Sequence, residues 1–222
     1  MKIAIDGPAG AGKSTISKAA AERLGFVYID TGAMYRAVGL YAVRHGFNPT
    51  DEKNVVSILD EIEISIEYNK EGQQIFLNGE NVSEDIRTPE ISAAASAVAT
   101  IPAVRLKLVE LQRLMAKKAD VLMDGRDIGT YVLPDAELKI FLTASVDERA
   151  KRRLKDLADK GIEAELETVK ADIIARDKND SEREFAPLRE AEDSVFLDNT
   201  DLTIDESIDR ICELANERRN SK

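Results

Sequence analysis

One short segment near the start of the chain limits the possible folds more than any other feature. It reads Gly7-Pro8-Ala9-Gly10-Ala11-Gly12-Lys13-Ser14 and matches the pattern G-x-x-x-x-G-K-[ST]. The apolar run Lys2-Ile3-Ala4-Ile5 predicts a buried strand before it, and Ile16, Ala20 and Leu24 recur at helical spacing after it. Strand, glycine-rich loop and helix in this order predict a phosphate-binding loop in an α/β fold.

The residue types of this loop suit a nucleoside triphosphate. Glycines let consecutive backbone N–H groups turn toward the β-phosphate, and the following helix N-terminus adds positive potential. We expect Lys13 to reach the β- and γ-phosphates and the Ser14 hydroxyl to bind Mg²⁺. ATP with Mg²⁺ is therefore the predicted donor. The predicted ATP-binding residues are Gly7, Pro8, Ala9, Gly10, Ala11, Gly12, Lys13, Ser14 and Thr15.

The rest of the chain alternates apolar runs of strand length with helical patterns. Strands are predicted at 27–30, 121–124, 138–142 and 195–198, and runs of this kind are typical of a parallel core sheet flanked by helices. Asp124 ends one of these runs, where a carboxylate orients Mg²⁺ in proteins with such loops. Asp6, directly before the loop, we expect to serve the geometry of the phosphate loop instead.

Between about residues 61 and 86 the apolar period changes to two. Ile62, Ile64 and Ile66 alternate with polar residues, and turns are predicted at Asn69–Gly72 and at Asn78-Gly79. We therefore predict a small antiparallel sheet inserted into the alternating chain, within a substrate-specific lobe. Its precise role is left open by the sequence.

Several helix boundaries are marked by capping residues. Thr88-Pro89 predicts a helix start with proline in the first position, and Thr203-Ile204-Asp205-Glu206 forms a capping box. Another helix is predicted to begin at about Thr50. The charged segment at 147–190 predicts a pair of helices, which by charge alone would be a solvated surface.

Composition excludes several classes of site. The 222 residues are 43% hydrophobic, which fits one domain with an insertion, 1–222. The formal net charge of −11 disfavours binding to nucleic acid, and one Cys with one His cannot form a Cys/His zinc site. No apolar run reaches the roughly 18 residues of a membrane span. We expect a cytoplasmic protein without membrane association, in which Cys212 serves packing and His45 lies at the surface.

Other nucleotide-binding classes fit the chain poorly. A guanine-reading N-K-x-D and a D-x-x-G segment are absent, and the length hardly accommodates the further domains of a pump or helicase. A kinase of a small molecule remains. Arg36, Arg105 and Arg126 follow predicted strands or lie near helix ends, where ligands of α/β folds gather. Because guanidinium groups bind phosphate through two hydrogen bonds, three of them indicate an acceptor that itself carries phosphate.

At this point the sequence resembles the bacterial cytidylate kinases. The likeness runs from about Ile3 to Glu217, and Asp124-Gly125-Arg126-Asp127-Ile128-Gly129-Thr130 is its most discriminating segment. The other motifs, in the order of that family, are Gly7 to Ser14, Asp30-Thr31-Gly32-Ala33-Met34-Tyr35-Arg36, Ile86-Arg87-Thr88 and Ala186-Pro187-Leu188. The resemblance implies a nucleoside monophosphate kinase of the P-loop NTPase fold, with an acceptor-binding lobe at 31–105 and a helical lid at 147–183.

The resemblance also implies an acceptor-phosphate site. The acceptor's phosphate would be held by Arg36 and Arg126, with Thr31 and Tyr35 nearby. Thr31 stands where some members have Ser, which keeps the hydroxyl.

For the base and the sugar, the resemblance implies five further residues. Cytosine would be read by Ser96, Arg105 and Asp127, and the sugar would be contacted by Asp180 and Arg183. Acceptance of dCMP and a monomeric state are further implications of the family.

The chemistry predicted on this basis is in-line transfer of the ATP γ-phosphoryl group to CMP. The attacking phosphate oxygen is largely deprotonated at neutral pH, so no general base is needed. Lid arginines, among them Arg149 and Arg176 and the pair Arg152-Arg153, would neutralise charge around the transferred group. The residues predicted to be catalytic are Lys13, Arg126, Arg149, Arg153 and Arg176.

Two alternatives stay open at the level of sequence. The first is a P-loop kinase of another small acceptor, in which Asp30 or Asp127 would act as base toward a hydroxyl. The second is a regulator that binds ATP without turnover. Intact lid arginines and Lys13 speak weakly against the second.

Overall fold

The computed structural model describes residues 1–69 and 72–220 of the chain. They form two compact units, Met1–Tyr28 with Ala119–Lys222 and, between them in sequence, Ile29–Lys118. The first is termed the P-loop unit below and the second the insert unit.

The described residues contain eight strands and eight α-helices, numbered in chain order. The strands are β1 (Lys2–Asp6), β2 (Val27–Asp30), β3 (Ile64–Asn69), β4 (Gly72–Leu77), β5 (Glu80–Asn81), β6 (Val121–Gly125), β7 (Leu138–Thr143) and β8 (Val195–Asp198). The helices are α1 (Lys13–Leu24), α2 (Thr31–Arg44), α3 (Glu52–Ser57), α4 (Pro89–Val98), α5 (Pro102–Ala116), α6 (Val146–Asp159), α7 (Leu166–Glu182) and α8 (Ile204–Asn220).

The core of the P-loop unit is the predicted parallel sheet, with strand order β2-β6-β1-β7-β8. Strand β1 pairs in parallel with both β6 and β7, so that Ile3 lies opposite Leu122 on one side and Leu138 on the other. These side chains are buried because the sheet is covered on both faces, which explains the continuous apolar runs. The carboxyl ends of these parallel strands meet at one edge of the sheet.

Helices α1 and α8 pack on one face of this sheet through an apolar cluster that includes Ile16, Ala20, Ile208 and Ile211. The predicted capping box at the start of α8 is confirmed. The Thr203 amide donates to Glu206 Oε2 over 2.8 Å, and the Glu206 amide donates to Thr203 Oγ1 over 3.2 Å. Cys212 is half-buried against the same cluster, as a packing residue would be.

The predicted pair of charged helices is confirmed as α6 and α7. Their contact has its own small apolar cluster, in which Ala150 and Leu157 of α6 meet Val169 and Ile173 of α7. The remaining surface of the pair is mostly charged, so this hairpin has little apolar burial of its own. That α6 and α7 act as a lid stays a prediction.

The insert unit contains the predicted antiparallel sheet, with strand order β3-β4-β5. Ile64 pairs with Leu77 and Ile66 with Ile75, and the buried members join a core that includes Met34 and Val38 of α2. Of the two predicted turns, Asn78-Gly79 is present, with φ values of 50° and 83°. The turn Asn69–Gly72 includes residues 70 and 71, which lie outside the described residues.

Helices α2 and α4 approach very closely in the insert unit. A Cβ at Gly39 of α2 would lie 3.0 Å from both the Ala94 Cβ and the Ala95 amide nitrogen, so only glycine allows this spacing. Thr88 caps α4 by accepting from the Ile91 amide over 3.2 Å, with Pro89 in the first position as predicted. Helix α3 begins at Glu52 with Asp51 as its cap, slightly later than the predicted start at Thr50.

Within residues 1–69 and 72–220, no single helix is both long and apolar enough to cross a membrane. Helices α4 and α5 satisfy that length and composition only when taken together, with a bend of 100° between them.

Candidate active site

The phosphate loop joins β1 to α1 in the P-loop unit and passes very close to β7. A Cβ at Gly7 would lie 1.9 Å from the Leu142 carbonyl oxygen, so no other residue fits there without moving the loop. Gly12 has a φ of 81° and directly precedes α1. The loop therefore leaves the first backbone N–H groups of α1 available to a ligand, which is an arrangement suited to phosphate.

Lys13 is the buried cation of this loop, with 6% of its surface exposed. Its Nζ donates to the Pro8 carbonyl oxygen over 2.7 Å, across the loop. Burial and the nearby Arg126 guanidinium hold the pKa of Lys13 well below its usual range, while Asp124 and Asp180 act in the opposite direction. A polyphosphate in the loop would favour the charged amine, because an anion nearby stabilises it.

Ser14 and Asp124 form the candidate magnesium site. The Ser14 Oγ donates to Asp124 Oδ2 over 3.0 Å, and the Tyr28 hydroxyl donates to Asp124 Oδ1 over 3.0 Å. Mg²⁺ prefers oxygen ligands and in kinases is held by one or two protein oxygens together with substrate phosphates. A hydroxyl and a buried carboxylate side by side at the phosphate loop fit that ligand set, so the residues present suit the metal.

Four charged side chains predicted to contact the acceptor lie in one group joined by hydrogen bonds and an ion pair, termed the acceptor cluster: Arg126, Asp127, Asp180 and Arg183. Arg126 Nε donates to Asp180 Oδ2 over 2.8 Å, and Arg183 donates from NH2 to Asp127 Oδ1 over 3.4 Å. A nitrogen of Arg183 also lies 3.8 Å from Asp180 Oδ1. Although burial alone would raise it, the pKa of Asp180 is held below its usual range by Arg126, Arg176 and Arg183.

The segment after α7 completes this cluster. Arg183 Nε donates to the Ala186 carbonyl oxygen over 2.8 Å, and the Leu188 amide donates to the Asp180 carbonyl oxygen over 2.8 Å. Ala186 has a φ of 48°, a left-handed conformation that turns the chain back toward α7. The motif Ala186-Pro187-Leu188 thus closes a loop that holds Arg183 in place.

Arg126 and Asp127 lie between β6 and a single π-helical turn, Ile128–Val132. The sequence did not predict this turn. Asp6 holds its start, because Oδ1 accepts from the Ile128 amide over 2.8 Å and Oδ2 accepts from the Gly129 amide over 2.7 Å. The sequence places Asp6 directly before the phosphate loop, but its carboxylate binds the turn after β6.

The carboxyl group of Asp6 is itself perturbed. Burial raises its pKa to about 7 from 3.8, even though the Gly129 and Ile128 amides act to lower it. The carboxylate of Asp127 adds to the rise and the ammonium of Lys13 opposes it. The charges of Lys13, in the phosphate loop, and of Asp127, in the acceptor cluster, therefore both act on Asp6.

Arg149, predicted to be catalytic, is committed to bonds within the protein. Only 4% of it is exposed, and its Nε donates to the Ala144 carbonyl oxygen over 2.9 Å. Its NH1 donates to the Ala9 carbonyl oxygen of the phosphate loop over 2.9 Å and to Asp177 Oδ2 over 2.7 Å. In this structure Arg149 ties the phosphate loop to α7. The other two lid arginines predicted to be catalytic, Arg153 and Arg176, are half-buried on α6 and α7.

Asn199, which the sequence analysis missed, is a second residue that joins the phosphate loop to the helical pair by hydrogen bonds. It is 1% exposed, and its Nδ2 donates to the Ala11 carbonyl oxygen of the phosphate loop over 3.0 Å. Arg152 of α6 donates to both the side-chain and the backbone oxygen of Asn199, over 3.1 and 2.9 Å. The one available signal was its place directly after strand β8, at the edge where α/β folds bind ligands.

In the insert unit, Asp30 organises the start of α2. Its Oδ1 accepts from the Ala33 amide over 3.0 Å as a helix cap, and its Oδ2 accepts from Arg36 NH2 over 2.8 Å. The Asp30 amide donates to Gln73 Oε1 of β4 over 2.9 Å. The inserted sheet therefore supports the residue that orients Arg36, a role that the sequence left unassigned.

The other predicted acceptor residues of this unit lie on α2, α4 and α5. Arg105 is 1% exposed, its NH1 donates to the Ala99 carbonyl oxygen over 3.1 Å, and its guanidinium carbon lies 5.4 Å from the centre of the Tyr35 ring. Thr31 is buried one turn before Tyr35, and Ser96 is half-buried on α4. Of these residues, the structure brings Tyr35 and Arg105 into contact.

Comparison with known proteins agrees with this arrangement of residues. The family model described as cytidylate kinase matches residues 3–217. The chain belongs to the cytidylate kinase family. It is 53% identical over 214 residues to a cytidylate kinase of Caldicellulosiruptor bescii, covering 96% of this chain and 95% of that protein. It is 49% identical over 218 residues to a cytidylate kinase of Bacillus subtilis, covering 98% and 97%.

Among solved structures, an uncharacterised protein of Eubacterium ventriosum is similar in fold to this cytidylate kinase family member. The TM-score is 0.53 at 13% sequence identity, covering 97% of this chain and 98% of that one. At that identity the likeness concerns the fold alone.

Proposed function

We propose that this chain transfers the γ-phosphoryl group of ATP to CMP, giving ADP and CDP. One observation carries the proposal beyond family membership. Within the P-loop unit, Ser14 of the phosphate loop donates to Asp124 over 3.0 Å, and Arg126, which follows Asp124 closely in sequence, donates to Asp180 over 2.8 Å. The phosphate loop, the candidate metal site and the residues proposed to bind the acceptor are therefore linked in one place.

The donor would be held by the phosphate loop, residues 7–15. The backbone amides at the start of α1 and the buried Lys13 amine would bind the β- and γ-phosphates. Ser14 and Asp124 would hold Mg²⁺, which when bound supplies charge neutralisation at the phosphates. The Tyr28 hydroxyl fixes the Asp124 carboxylate, so this ligand is oriented before substrate arrives.

The acceptor would be held by the guanidinium groups of Arg36 and Arg126, with Thr31 and Tyr35 nearby. Asp30 and Asp180 each bind one side of these arginines over 2.8 Å and thereby fix their planes. A phosphate oxygen of CMP is already largely deprotonated at neutral pH, so the attack needs position and charge stabilisation and no base.

The base and the sugar would be read by the remaining acceptor residues. Asp127, Arg105 and Ser96 are the proposed cytosine readers, and Asp180 with Arg183 would contact the sugar. Because Arg183 also binds Asp127, sugar and base recognition share one hydrogen-bonded cluster. We include dCMP among the proposed acceptors.

The helical pair α6 and α7, within the proposed lid at 147–183, would bring Arg153 and Arg176 toward the transferred group. Closure of such a segment excludes water and protects ATP from hydrolysis. Arg149 would serve the same step by holding the Ala9 carbonyl and hence the shape of the phosphate loop. The proposal further includes the lobe at 31–105, a monomeric state, a cytoplasmic location and no nucleic-acid or membrane partner.

A coupled assay of ADP release with Mg-ATP tests the function. CMP, dCMP, UMP, AMP, GMP, dTMP and shikimate are compared at equal concentration. We expect rapid turnover with CMP and dCMP and little with the others. Turnover mainly with another acceptor would refute the cytosine readers, and binding of ATP without turnover on any acceptor would refute the kinase.

A further inference from the structure

Asp6 joins the two halves of the proposed site in an unusual way. It is the last residue of β1 and directly precedes Gly7, the first residue of the phosphate loop. Its side chain does not turn into that loop. It is 5% exposed and binds the turn that follows Arg126 and Asp127 on the neighbouring strand β6.

The contact satisfies a specific need of that turn. The first N–H groups of a helical turn have no partner within the turn. In this turn, the Tyr131 and Val132 amides donate back to the Asp127 carbonyl oxygen, over 2.9 and 3.0 Å. The two amides at its start, of Ile128 and Gly129, are both taken by the carboxylate of Asp6. One side chain thus fixes the two peptide groups directly after Asp127.

The other side of the turn is also held. A Cβ at Gly129 would lie 3.2 Å from Cδ of Lys139 and 3.4 Å from Oδ2 of Asp6, so the turn is confined between these two side chains. Lys139 is buried, and its Nζ donates to Asp193 Oδ1 over 2.8 Å. The position of the turn is therefore set by strands β1 and β7, which are neighbours in the core sheet.

We propose that Asp6 is a positioning residue for acceptor recognition: through the Ile128 and Gly129 amides it sets where Asp127 and Arg126 stand relative to the phosphate loop. Recognition of the acceptor then depends on a residue that touches neither the acceptor nor the donor. The inference rests on the proposed function, since it assigns Asp127 and Arg126 to the acceptor.

The test is Asp6→Asn, which keeps the size of the side chain but leaves one oxygen for two amides. The matched control is Glu137→Gln. Glu137 Oε2 accepts from the Lys2 amide over 2.7 Å, so it holds the opposite end of the same strand β1 through the same kind of bond. Both variants are assayed at pH 8 with CMP, UMP and Mg-ATP, after circular dichroism has shown the native helix content.

For Asp6→Asn we expect the KM for CMP to rise about 10- to 100-fold, which is the usual effect of losing one buried hydrogen bond to a charged group. The KM for ATP should stay within about twofold, because the phosphate loop keeps its own contacts with α1 and β7. The preference for CMP over UMP should fall. Glu137→Gln should match the wild type in all three quantities.

An equal rise of both KM values, or a fall in kcat with the KM for CMP unchanged, would overturn the proposal. If Asp6→Asn does not fold, Gly129→Ala displaces the same turn without removing the charge and should raise the KM for CMP in the same selective way. An unchanged KM for CMP in a folded Gly129→Ala would likewise overturn it. Failure of the proposed function is recognised separately, because the wild type itself would then not phosphorylate CMP.

Discussion

Replacing Asp6 by Asn should change how the stability of the chain depends on pH. The carboxyl group ionises with a pKa of about 7 in the folded chain, against 3.8 as its ordinary value. Between these two values the folded state holds a proton that the unfolded state has lost. Raising the pH through this window therefore removes stability from the wild type, and Asp6→Asn, which has no proton to lose, escapes that loss.

The size of the effect follows from the two pKa values. Each pH unit inside the window is worth about 1.4 kcal/mol, and between pH 5 and pH 8 almost two full units are traversed. The free energy of unfolding of Asp6→Asn, minus that of the wild type, should thus rise by on the order of 2 to 3 kcal/mol from pH 5 to pH 8. The absolute cost of placing an amide NH₂ against a backbone N–H is the same at both pH values and cancels.

Urea unfolding followed by circular dichroism at pH 5 and pH 8 measures this difference directly. Wild type, Asp6→Asn and the control Glu137→Gln are compared without nucleotides, so that ligand binding does not contribute. Glu137→Gln controls for replacing a carboxylate that accepts a backbone amide at the other end of β1.

A flat difference between Asp6→Asn and the wild type would refute the reasoning. It would mean that the hydrogen bonds from Ile128 and Gly129, which favour the charged form, cancel or outweigh the effect of burial, so that the folded pKa is not raised. The carboxylate would then be charged in both the folded and the unfolded state from pH 5 to pH 8, and no stability would be lost over that range.

Three further changes test other parts of the site. Lys13→Ala should lower kcat on the order of 10² to 10³-fold, because charge stabilisation at the phosphates is lost, with the circular dichroism spectrum unchanged. Gly7→Ala should raise the KM for ATP at least about 10-fold and lower the melting temperature, because its Cβ would lie 1.9 Å from the Leu142 carbonyl oxygen. An unchanged KM and melting temperature would show that the loop can move away from β7 at little cost. Asp177→Asn should raise the KM for ATP about threefold or more, because it weakens the hydrogen bonding that positions Arg149 against the Ala9 carbonyl oxygen of the phosphate loop. The KM is measured by ATP titration at saturating CMP, and an unchanged value would refute this role of Arg149.

The parts of the molecule that the sequence predicted are those encoded by neighbouring residues. The phosphate loop, the capped starts of α4 and α8 and the alternating strands β3 and β4 each follow from a local pattern. The hydrogen bond between Ile128 and Asp6 joins residues 122 positions apart, and the one between Asn199 and Ala11 joins residues 188 positions apart. Such pairs depend on which strands become neighbours in the sheet, which no local pattern specifies.

The burial of Arg149 is likewise a feature that no local sequence pattern specifies. It lies in a segment dense in charge, which by pattern alone predicted a solvated surface, and the family resemblance assigned it to the lid and to catalysis. Its burial arises because α6 begins directly beside the phosphate loop: the Gly10 position, extended by a Cβ, would lie 3.2 Å from the Arg149 Cβ. The Arg149 guanidinium therefore donates to the carbonyl oxygens of Ala144 and Ala9 and has little contact with solvent. The short distance between α6 and the loop depends on tertiary packing, which the local sequence does not specify.

If the acceptor binds as proposed, the acceptor cluster would also explain how a chain with a formal net charge of −11 holds an anion. Two arginines, Arg126 and Arg183, are balanced by two carboxylates, Asp127 and Asp180, so the cluster is neutral before substrate arrives. Isolated buried arginines would carry a large desolvation cost, and the carboxylates offset it. The same carboxylates fix the guanidinium planes, so that an incoming phosphate meets oriented donors and little free energy is spent in ordering them. On the proposed assignment, specificity for a nucleotide would come from the geometry of the cluster, and a positively charged surface would not be required.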